Sequence, residues 1–429
     1  MIRFIHAADI HLDSPLKGLA NRPHLPADKI KDATRNALTN LVNLALSENV
    51  DFVLLAGDIY DGDWDDTITG FEFIREMGRL SQKNIPVVMI FGNHDAISKI
   101  SQPLTPPKNL KILRSDSPES FEIIKDGKVI AIIHGQSFKN QAETRNLATA
   151  YPAPVAGKLN IGILHTSLDG RIGHDNYAPT TKIELINKGY SYWALGHVHT
   201  REEIHQKPYI IFPGNIQGRH IRETGAKGCY LVTFKDNHEA QLDFKPLDVF
   251  RWEVLSLNLT NASNKNDLEA KTISLIEEHS KIYQTTPVGI RITLEGSTVL
   301  HSWLKSSQNY VADIIQSIFT GISTDKLFLE QLKVKTSDFA FDQPQEQLNE
   351  DVLHLINQSL KGLIDNPDEF DDLIKKSTLE SLNRAIPGDW KKLKDDNSIE
   401  PIKREWLESL FSEIVPVIQT IAKNEEKKS

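Results

Sequence analysis

The first 250 residues alternate short apolar runs with longer segments whose apolar positions recur at helical spacing. Lys29–Leu46 and Phe71–Leu80 show the i, i+3, i+4 recurrence of amphipathic helices. The apolar runs end in turn-forming residues, which predicts buried strands. The predicted strands are Arg3–Ala8, Phe52–Ala56, Val87–Phe91, Val129–His134, Ile161–His165, Tyr192–Leu195, Tyr209–Phe212 and Cys229–Phe234. This order predicts an α/β fold that becomes richer in strands, with a layered sheet core covered by helices.

The pattern changes near residue 249. Strand-like segments at Arg251–Leu259, Val288–Leu294 and Leu327–Thr336 alternate with helical spacing at Asp267–Tyr283 and Val311–Ile318. This part predicts a small α/β domain. Beyond residue 342 the chain becomes acidic, with apolar stripes at helical spacing, so we expect a helical C-terminal region.

Composition is that of a globular protein, with 39% hydrophobic and 25% charged residues. No run of 18 apolar residues predicts a membrane span, and the residues after Met1 lack the features of a signal peptide. The single cysteine, Cys229, suits a reducing compartment, so we expect a cytoplasmic protein. The net charge of −9 neither supports nor excludes a DNA substrate, because bound cations would offset it locally.

Six short polar motifs occur in order, most of them at or just beyond the end of a predicted strand. Strand ends of open α/β sheets deliver side chains into a common crevice. Asp and His side chains suit divalent ions such as manganese, iron or zinc. The motifs are Asp9-Ile10-His11, Gly57-Asp58, Gly92-Asn93-His94-Asp95, His134-Gly135, His165 and Gly196-His197-Val198-His199.

Each motif has an ordinary structural explanation when it stands alone. Asp9 could cap a strand end, and Asn93 could shape a tight turn. A lone His165 is more often hydrogen-bonded than a ligand, whereas His197 and His199, at i and i+2 of an extended chain, point to one face. The recurrence on successive strand ends indicates a metal site.

The series D-x-H, G-D, G-N-H-D, H and G-H-x-H resembles the signature of calcineurin-like metallophosphoesterases. Within them, Gly57–Asp61 is similar to the SbcD-type DNA-repair nucleases, and Phe212–Gly228 is similar to the bacterial YhaO branch. The resemblance implies a two-sheet sandwich flanked by helices over residues 1–248. A small α/β accessory domain over 249–342 and a helical region over 343–429 would follow.

The resemblance also implies two divalent cations, most often manganese, although iron or zinc would be compatible. Asp58 would bridge them. The first cation would be bound by Asp9, His11, Asp58 and His199, and the second by Asn93, His165 and His197 as well as Asp58. His94 is similar to the family's catalytic histidine, with Asp95 expected as the partner that fixes its tautomer.

Substrate contacts are predicted in two glycine-containing loops. Arg219, His220 and Arg222 follow the strand that ends at Phe212, and arginine suits bidentate phosphate binding. Tyr177 lies in the loop after His165, together with Arg171 and His174. The alternative for each is an ordinary solvated side chain. His134 is left open between a place near the site and a turn of the chain.

The resemblance implies a DNA exonuclease or endonuclease that acts in DNA repair with an SbcC- or YhaN-like coiled-coil ATPase, and a homodimer. Residues 343–429 would dock on that ATPase or form a helical core of their own. A small-molecule phosphodiesterase, for instance one acting on cyclic nucleotides, would use the same metal motifs, but the length after Phe250 favours the nuclease. A catalytically silent scaffold would be expected to lack ligands, and here every expected position is filled.

Overall fold

The computed structural model describes residues 1–14, 24–61, 67–97, 105–170, 177–235, 239–279, 285–323 and 325–338. The predicted helical region 343–429 and the loop residues Arg171 and His174 lie outside these ranges. Strands before residue 250 are β1 (Ile2–Ala7), β2 (Phe52–Ala56), β3 (Val87–Ile90), β4 (Leu110–Ile112), β5 (Glu119–Lys125), β6 (Lys128–Gly135), β7 (Leu159–His165), β8 (Tyr192–Gly196), β9 (Glu202–Gln206), β10 (Tyr209–Phe212), β11 (Gly228–Phe234) and β12 (Ala240–Pro246). The strands after it are β13 (Arg251–Asn258), β14 (Val288–Ser297) and β15 (Leu327–Ser337).

Helices flank the sheets and connect the parallel strands. They are α1 (Ala27–Lys31), α2 (Ala33–Ser47), α3 (Thr67–Ser81), α4 (Lys182–Asn187), α5 (Lys265–Glu278), α6 (His301–Ser306) and α7 (Gln308–Ile322). Thr181 caps α4 by accepting from the backbone N–H of Glu184, whose carboxylate in turn accepts from the Thr181 N–H. This reciprocal capping box satisfies donors that a helix start leaves unpaired.

Two six-stranded mixed sheets form the first part of the structure. One has the order β12-β11-β1-β2-β3-β4 and the other β5-β6-β7-β8-β10-β9. Strand β1 is parallel to β2, with Phe4 opposite Phe52, and antiparallel to β11. The predicted two-sheet sandwich flanked by helices, followed by a further sheet with helices, is confirmed.

The continuous apolar runs of the central strands follow from burial on both faces. In β2, Val53 and Leu55 pack with residues of α2 and α3, whereas Phe52 and Leu54 pack with residues of the second sheet. Phe4 stacks on Phe52 with ring centroids 4.8 Å apart. Both faces of the first sheet are therefore packed away from water. This packing holds the strand ends, where the polar motifs lie, in fixed positions.

A three-stranded sheet with the order β13-β14-β15 follows, and β13 is parallel to β14. Helices α5 and α7 contact each other, and both bury apolar residues. By contacts the chain divides into two compact units. The first holds Met1–Asn258, Lys265–Glu295 and Ser306–Lys335. The second holds Leu259–Asn264, Gly296–Lys305 and, at the end of the described residues, 336–338. In it, Thr298 donates a hydrogen bond to the Ala262 carbonyl at 2.6 Å.

The apolar pattern did not predict four of these strands. β12 and β4 are the outer strands of the first sheet, and β5 and β9 are the outer strands of the second. Most of their residues are exposed or half-buried. An outer strand lacks a continuous buried run, so its sequence gives only a weak signal.

Candidate metal centre

Five of the six polar motifs converge because they follow neighbouring strands at one end of the two sheets. Asp58 follows β2, whose neighbours β1 and β3 precede the D-x-H and G-N-H-D motifs. In the second sheet, β7 lies beside β8. The side chains delivered in this way are Asp9 and His11 after β1, Asp58 after β2, Asn93 and His94 after β3, His165 at the end of β7, and His197 and His199 after β8.

The backbone at this end adopts conformations that side-chain-bearing residues rarely take. Asp9, His11, Asp58 and His197 have φ of 52°, 45°, 53° and 100°. Such left-handed backbone is costly for non-glycine residues and clusters at functional sites. Adjacent loops support it: the His11 N–H donates to the Asp58 carbonyl at 3.0 Å.

The glycines of the motifs let the loops approach closely. A Cβ on Gly92 would lie 2.3 Å from the Asp58 Oδ1 atom, and one on Gly196 would lie 2.0 Å from the Ala56 carbonyl oxygen. Both distances are far below van der Waals contact. The glycine beside each motif therefore has a steric reason that is independent of the chemistry.

Three sets of acidic and histidine side chains lie close enough to hold a cation. They are Asp9 with His11 and His199, His11 with Asp58 and His94, and Asp9 with Asp58 and His165. Within each set the potential ligand atoms lie within 4.8 Å of one another. Shared members join the three sets into one centre.

The donors of the first set fit a divalent ion. The Nε2 atoms of His11 and His199 lie 3.1 Å apart, and the Nδ1 atom of buried His11 lacks a hydrogen-bond partner in the described structure. The nearest carboxylate oxygen to that Nδ1, on Asp61, is 3.5 Å away. Two imidazole nitrogens facing each other beside carboxylates form a donor set that divalent transition metals bind well.

His165 is oriented by the backbone. Its Nδ1 donates to the Ala56 carbonyl at 2.9 Å, so its Nε2 faces Asn93 Oδ1 at 3.0 Å and Asp58 Oδ2 at 3.4 Å. Burial by itself would lower the pKa of His165, but the charge of Asp58 raises it to about 9. Burial would raise the pKa of Asp58, and the nearby His165 holds it well below its usual range instead.

The G-H-x-H motif and Asp9 are joined through the backbone. The Asp9 carboxylate accepts from the His197 N–H at 3.0 and 3.1 Å. Burial raises the pKa of Asp9 to about 6, against the charges of His199 and His165. The His197 ring lies 5.2 Å from the His165 ring, centroid to centroid.

The carboxylate beside His94 is Asp61, not Asp95 as the resemblance led us to expect. His94 Nδ1 lies 2.9 Å from Asp61 Oδ1. Because a carboxylate only accepts, the His94 Nδ1 donates, and its Nε2 is available to a substrate. Asp95 instead accepts from the backbone N–H groups of Ile59, Tyr60 and Gly92 at 2.9–3.1 Å. Asp95 therefore joins the loops after β2 and β3.

The predicted substrate residues differ in their surroundings. Arg219 is only 15% exposed and donates to Glu223 at 3.0 Å, with Asp61 at 3.6 Å. His220 is 54% exposed, and Arg222 is also exposed. Tyr177 lies beside the centre, with its ring centroid 5.7 Å from that of His197.

His134 does not face the metal centre. Its ring nitrogens contact Ser120 Oγ at 2.8 Å and Asn160 Oδ1 at 3.1 Å, and its ring stacks on Tyr190. Sequence reasoning gave no role to Asp61 or Glu223, although both lie in the segments that carry the family resemblance. The Asp three residues after Asp58 was the available signal for Asp61; nothing in the sequence singled out Glu223.

Residues 2–201 match the family model of the calcineurin-like phosphoesterases, and residues 252–337 match that of the middle domain of the metallophosphoesterase YhaO. The uncharacterized metallophosphoesterase YhaO of Bacillus subtilis is 33% identical over 388 residues, 89% of this chain and 90% of that protein. The DNA double-strand break repair protein Mre11 of Saccharolobus solfataricus is 25% identical over 405 residues, 88% of this chain and 99% of that protein. Among solved structures, a dimetal phosphatase from Danio rerio is matched over 57% of this chain and 98% of that chain, at 11% identity and a TM-score of 0.33.

The fold and the clustered Asp and His side chains define a metal-dependent phosphoesterase, a hydrolase that binds divalent ions. The chain belongs to the calcineurin-like metallophosphoesterase family, and its identity with YhaO extends over both of the matched segments. No helix among the described residues is both long and apolar enough to cross a membrane.

Proposed function

We propose that this chain is a two-metal phosphodiesterase whose substrate is DNA. The observation that carries the two-metal part is the convergence of three donor sets in which Asp9, His11 and Asp58 are shared. We assign Asp9, His11, Asp58 and His199 to one cation. Asn93, His165 and His197 hold the second, and Asp58 lies between the two. Manganese is the proposed ion, as the family resemblance implies, although these ligands also accept iron and zinc.

When bound, the two cations supply an activated water and neutralise charge on the phosphoryl oxygens. The backbone N–H of His94 holds the Asp58 carboxylate in place by donating to its Oδ1 atom at 3.0 Å. Burial would lower the pKa of the His94 ring, but hydrogen bonding to Asp61 and the charge of Asp58 raise it. These contacts favour the protonated form of His94, and 34% of its side chain is exposed. Its Nε2 can donate a proton to the departing oxygen.

The DNA substrate is supported by the relatives and by the extent of the similarity. Two proteins named for DNA double-strand break repair align with 88% and 82% of this chain, well beyond the metal motifs. The exposed His220 and Arg222 are the proposed contacts to a phosphate backbone, because Arg219 is already paired with Glu223. Tyr177, beside His197, is the proposed contact near the scissile group.

The remaining proposals follow from the family resemblance. Residues 343–429 would dock on an SbcC- or YhaN-like coiled-coil ATPase, and the chain would act in DNA repair in the cytoplasm, as a homodimer. We retain the division into a nuclease domain at 1–248, an accessory domain at 249–342 and a C-terminal region at 343–429.

The test is incubation of the purified full chain with manganese and two substrates, a labelled DNA duplex with single-stranded ends and bis-p-nitrophenyl phosphate. Asp58→Ala, prepared in parallel, controls for contaminating nuclease. Cleavage of DNA by the native chain and not by the variant supports the proposal. Cleavage of the small diester alone would favour a small-molecule phosphodiesterase, and cleavage of neither, with two metals bound, would favour a silent scaffold.

A further inference from the structure

The segment from Gly214 to Gly228, here called the bracing segment, contacts His199 at both its side chain and its backbone. Glu223 Oε1 lies 2.8 Å from His199 Nδ1, and Lys227 Nζ donates to the His199 carbonyl at 3.0 Å. A Cβ on Gly214, which has φ of 76°, would lie 2.9 Å from that same carbonyl oxygen. The segment therefore encloses the backbone and one ring edge of His199.

The contact with Glu223 determines which nitrogen of His199 faces the metal centre. A carboxylate only accepts hydrogen bonds, so the His199 Nδ1 carries the proton and donates it to Glu223. The Arg219 Nη2 atom also lies 3.2 Å from this Nδ1, but a guanidinium only donates, and it bonds to Glu223 Oε1 at the shorter distance of 3.0 Å. The other nitrogen, Nε2, then presents its lone pair toward His11, whose Nε2 is 3.1 Å away. A carboxylate behind a histidine fixes the tautomer and the ring orientation, and makes the ring a stronger ligand.

Glu223 is itself held firmly. Its side chain is 6% exposed, and its second oxygen accepts from Asn215 Nδ2 at 2.9 Å and from the Arg219 N–H at 2.7 Å. The Arg219 guanidinium adds a contact to Oε1 at 3.0 Å. Because its oxygens are bonded on several sides, this carboxylate has little freedom to turn away from His199.

Strand β13 and the residues just before it hydrogen-bond to the bracing segment. The Trp252 indole N–H donates to the Gly218 carbonyl at 2.9 Å, and the Gly225 N–H donates to the Trp252 carbonyl at 3.0 Å. Gln217 bonds to the same stretch, accepting from the Val249 N–H at 2.9 Å. The position of Glu223 thus depends on residues 249–252, at the start of the YhaO-type middle domain.

We propose that Glu223 is a positioning residue for His199, holding the ring so that Nε2 binds the cation shared with Asp9 and His11. The proposal rests on the assignment of His199 as a metal ligand made above. It does not depend on whether the substrate is DNA. The bracing segment acts through the side chain of Glu223, while Lys227 and Gly214 fix the backbone of His199.

The test is titration of the metal-free full chain with Mn²⁺ by isothermal calorimetry, so that each of the two equivalents is measured separately. Glu223→Ala is expected to weaken one equivalent by about 10–100-fold and to leave the other nearly unchanged. Glu223→Gln is expected to fall between Ala and the native chain, because its carbonyl oxygen can still accept from His199 Nδ1 while its charge is lost. His199→Ala identifies the equivalent concerned.

A matched control separates this role from general loss of a buried charge. Glu330 is 7% exposed and bonds to Arg291 at 2.6 and 2.7 Å, away from the metal ligands in sequence and in its contacts. Glu330→Gln is expected to leave both equivalents unchanged. If Glu223→Ala does not fold, as judged by its circular dichroism, Glu223→Gln and Glu223→Asp carry the test.

The outcomes separate the two proposals. If His199→Ala loses one equivalent while the Glu223 variants keep both at native affinity, the positioning role is wrong and the ligand assignment stands. If the Glu223 variants weaken both equivalents alike, Glu223 acts on the fold and the positioning role is again wrong. If His199→Ala binds both equivalents normally, the ligand assignment fails, and the role of Glu223 fails with it.

Discussion

His6, within a strand, and His11, beyond the end of the same strand, are equally buried but have different hydrogen-bond partners. His6, inside β1, donates from Nε2 to the Leu195 carbonyl at 3.1 Å and accepts at Nδ1 from the Tyr192 hydroxyl at 3.0 Å. His11, five residues later, faces another histidine nitrogen at 3.1 Å, and its Nδ1 lacks a hydrogen-bond partner among the described residues. A neutral imidazole has one donor and one acceptor, and of these two histidines His6 alone uses both within the described residues.

His134 follows the pattern of His6. Asn160 and Ser120 occupy its two ring nitrogens, and the Asn160 amide is fixed in turn by the backbone of Val155. His6 and His134 bond only to groups outside the metal centre, whereas His11 and His199 have facing nitrogens beside carboxylates, an arrangement that a cation would complete. Burial alone does not distinguish the two kinds.

The largest effect is expected at Asp58, which belongs to two of the three donor sets. Asp58→Asn should lower the rate of diester cleavage by about 10²–10³-fold or more, because charge stabilisation at the reacting phosphate is lost. Assays with bis-p-nitrophenyl phosphate and metal analysis of the purified variant measure this. Glu330→Gln removes the charge of a buried carboxylate that pairs with Arg291, and this variant should cleave at the native rate. Equal losses in both variants would contradict the assignment.

The next effect is expected at Asp61, the partner of His94. Asp61→Asn should lower kcat by about 10²-fold, because His94 loses the carboxylate that orients its ring and stabilises its protonated form. Both metal equivalents should still bind. The basic limb of the kcat–pH profile should also shift to lower pH, since the raised pKa of His94 depends on Asp61. An unchanged profile would exclude His94 as the acid.

Asp95 sharpens the contrast, because its carboxylate bonds to backbone rather than to His94. Asp95→Asn should lower the free energy of unfolding by about 1–3 kcal/mol, since an amide cannot accept from all three N–H groups. Chemical denaturation of the metal-free protein measures this loss. A large drop in kcat without loss of stability would instead restore the role first expected for Asp95.

The smallest effect tests the core histidine. Burial lowers the pKa of His6 to about 3, whereas the unfolded chain takes up that proton near pH 6.5. The unfolded state therefore binds more protons as the pH falls below 6.5, and stability is lost in that direction. The loss approaches about 1.4 kcal/mol per pH unit from this group. His6→Gln should flatten the fall measured by denaturation between pH 6.5 and 5; an unaltered slope would contradict it.

Local sequence predicted the central strands and missed the outer ones for a physical reason. Phe52–Ala56 is buried on both faces, and its continuous apolar run predicts a buried strand. Glu119–Lys125 and Glu202–Gln206 lie at the two edges of the second sheet, where most side chains are half-buried or exposed. Each pairs with the strand that follows it across a short turn, so it is held by backbone hydrogen bonds, and its own apolar pattern does not record them.

The sequence by itself determined the class of chemistry, because strand-end Asp and His residues beside glycines form local motifs that can be recognised without knowing the fold. Only the tertiary structure decided how they are partnered. It placed Asp61 rather than Asp95 against His94, and it brought Glu223 to His199 from 24 residues away in the chain. A hydrogen bond is defined to within tenths of an ångström, whereas neighbourhood in sequence leaves the direction of a side chain open.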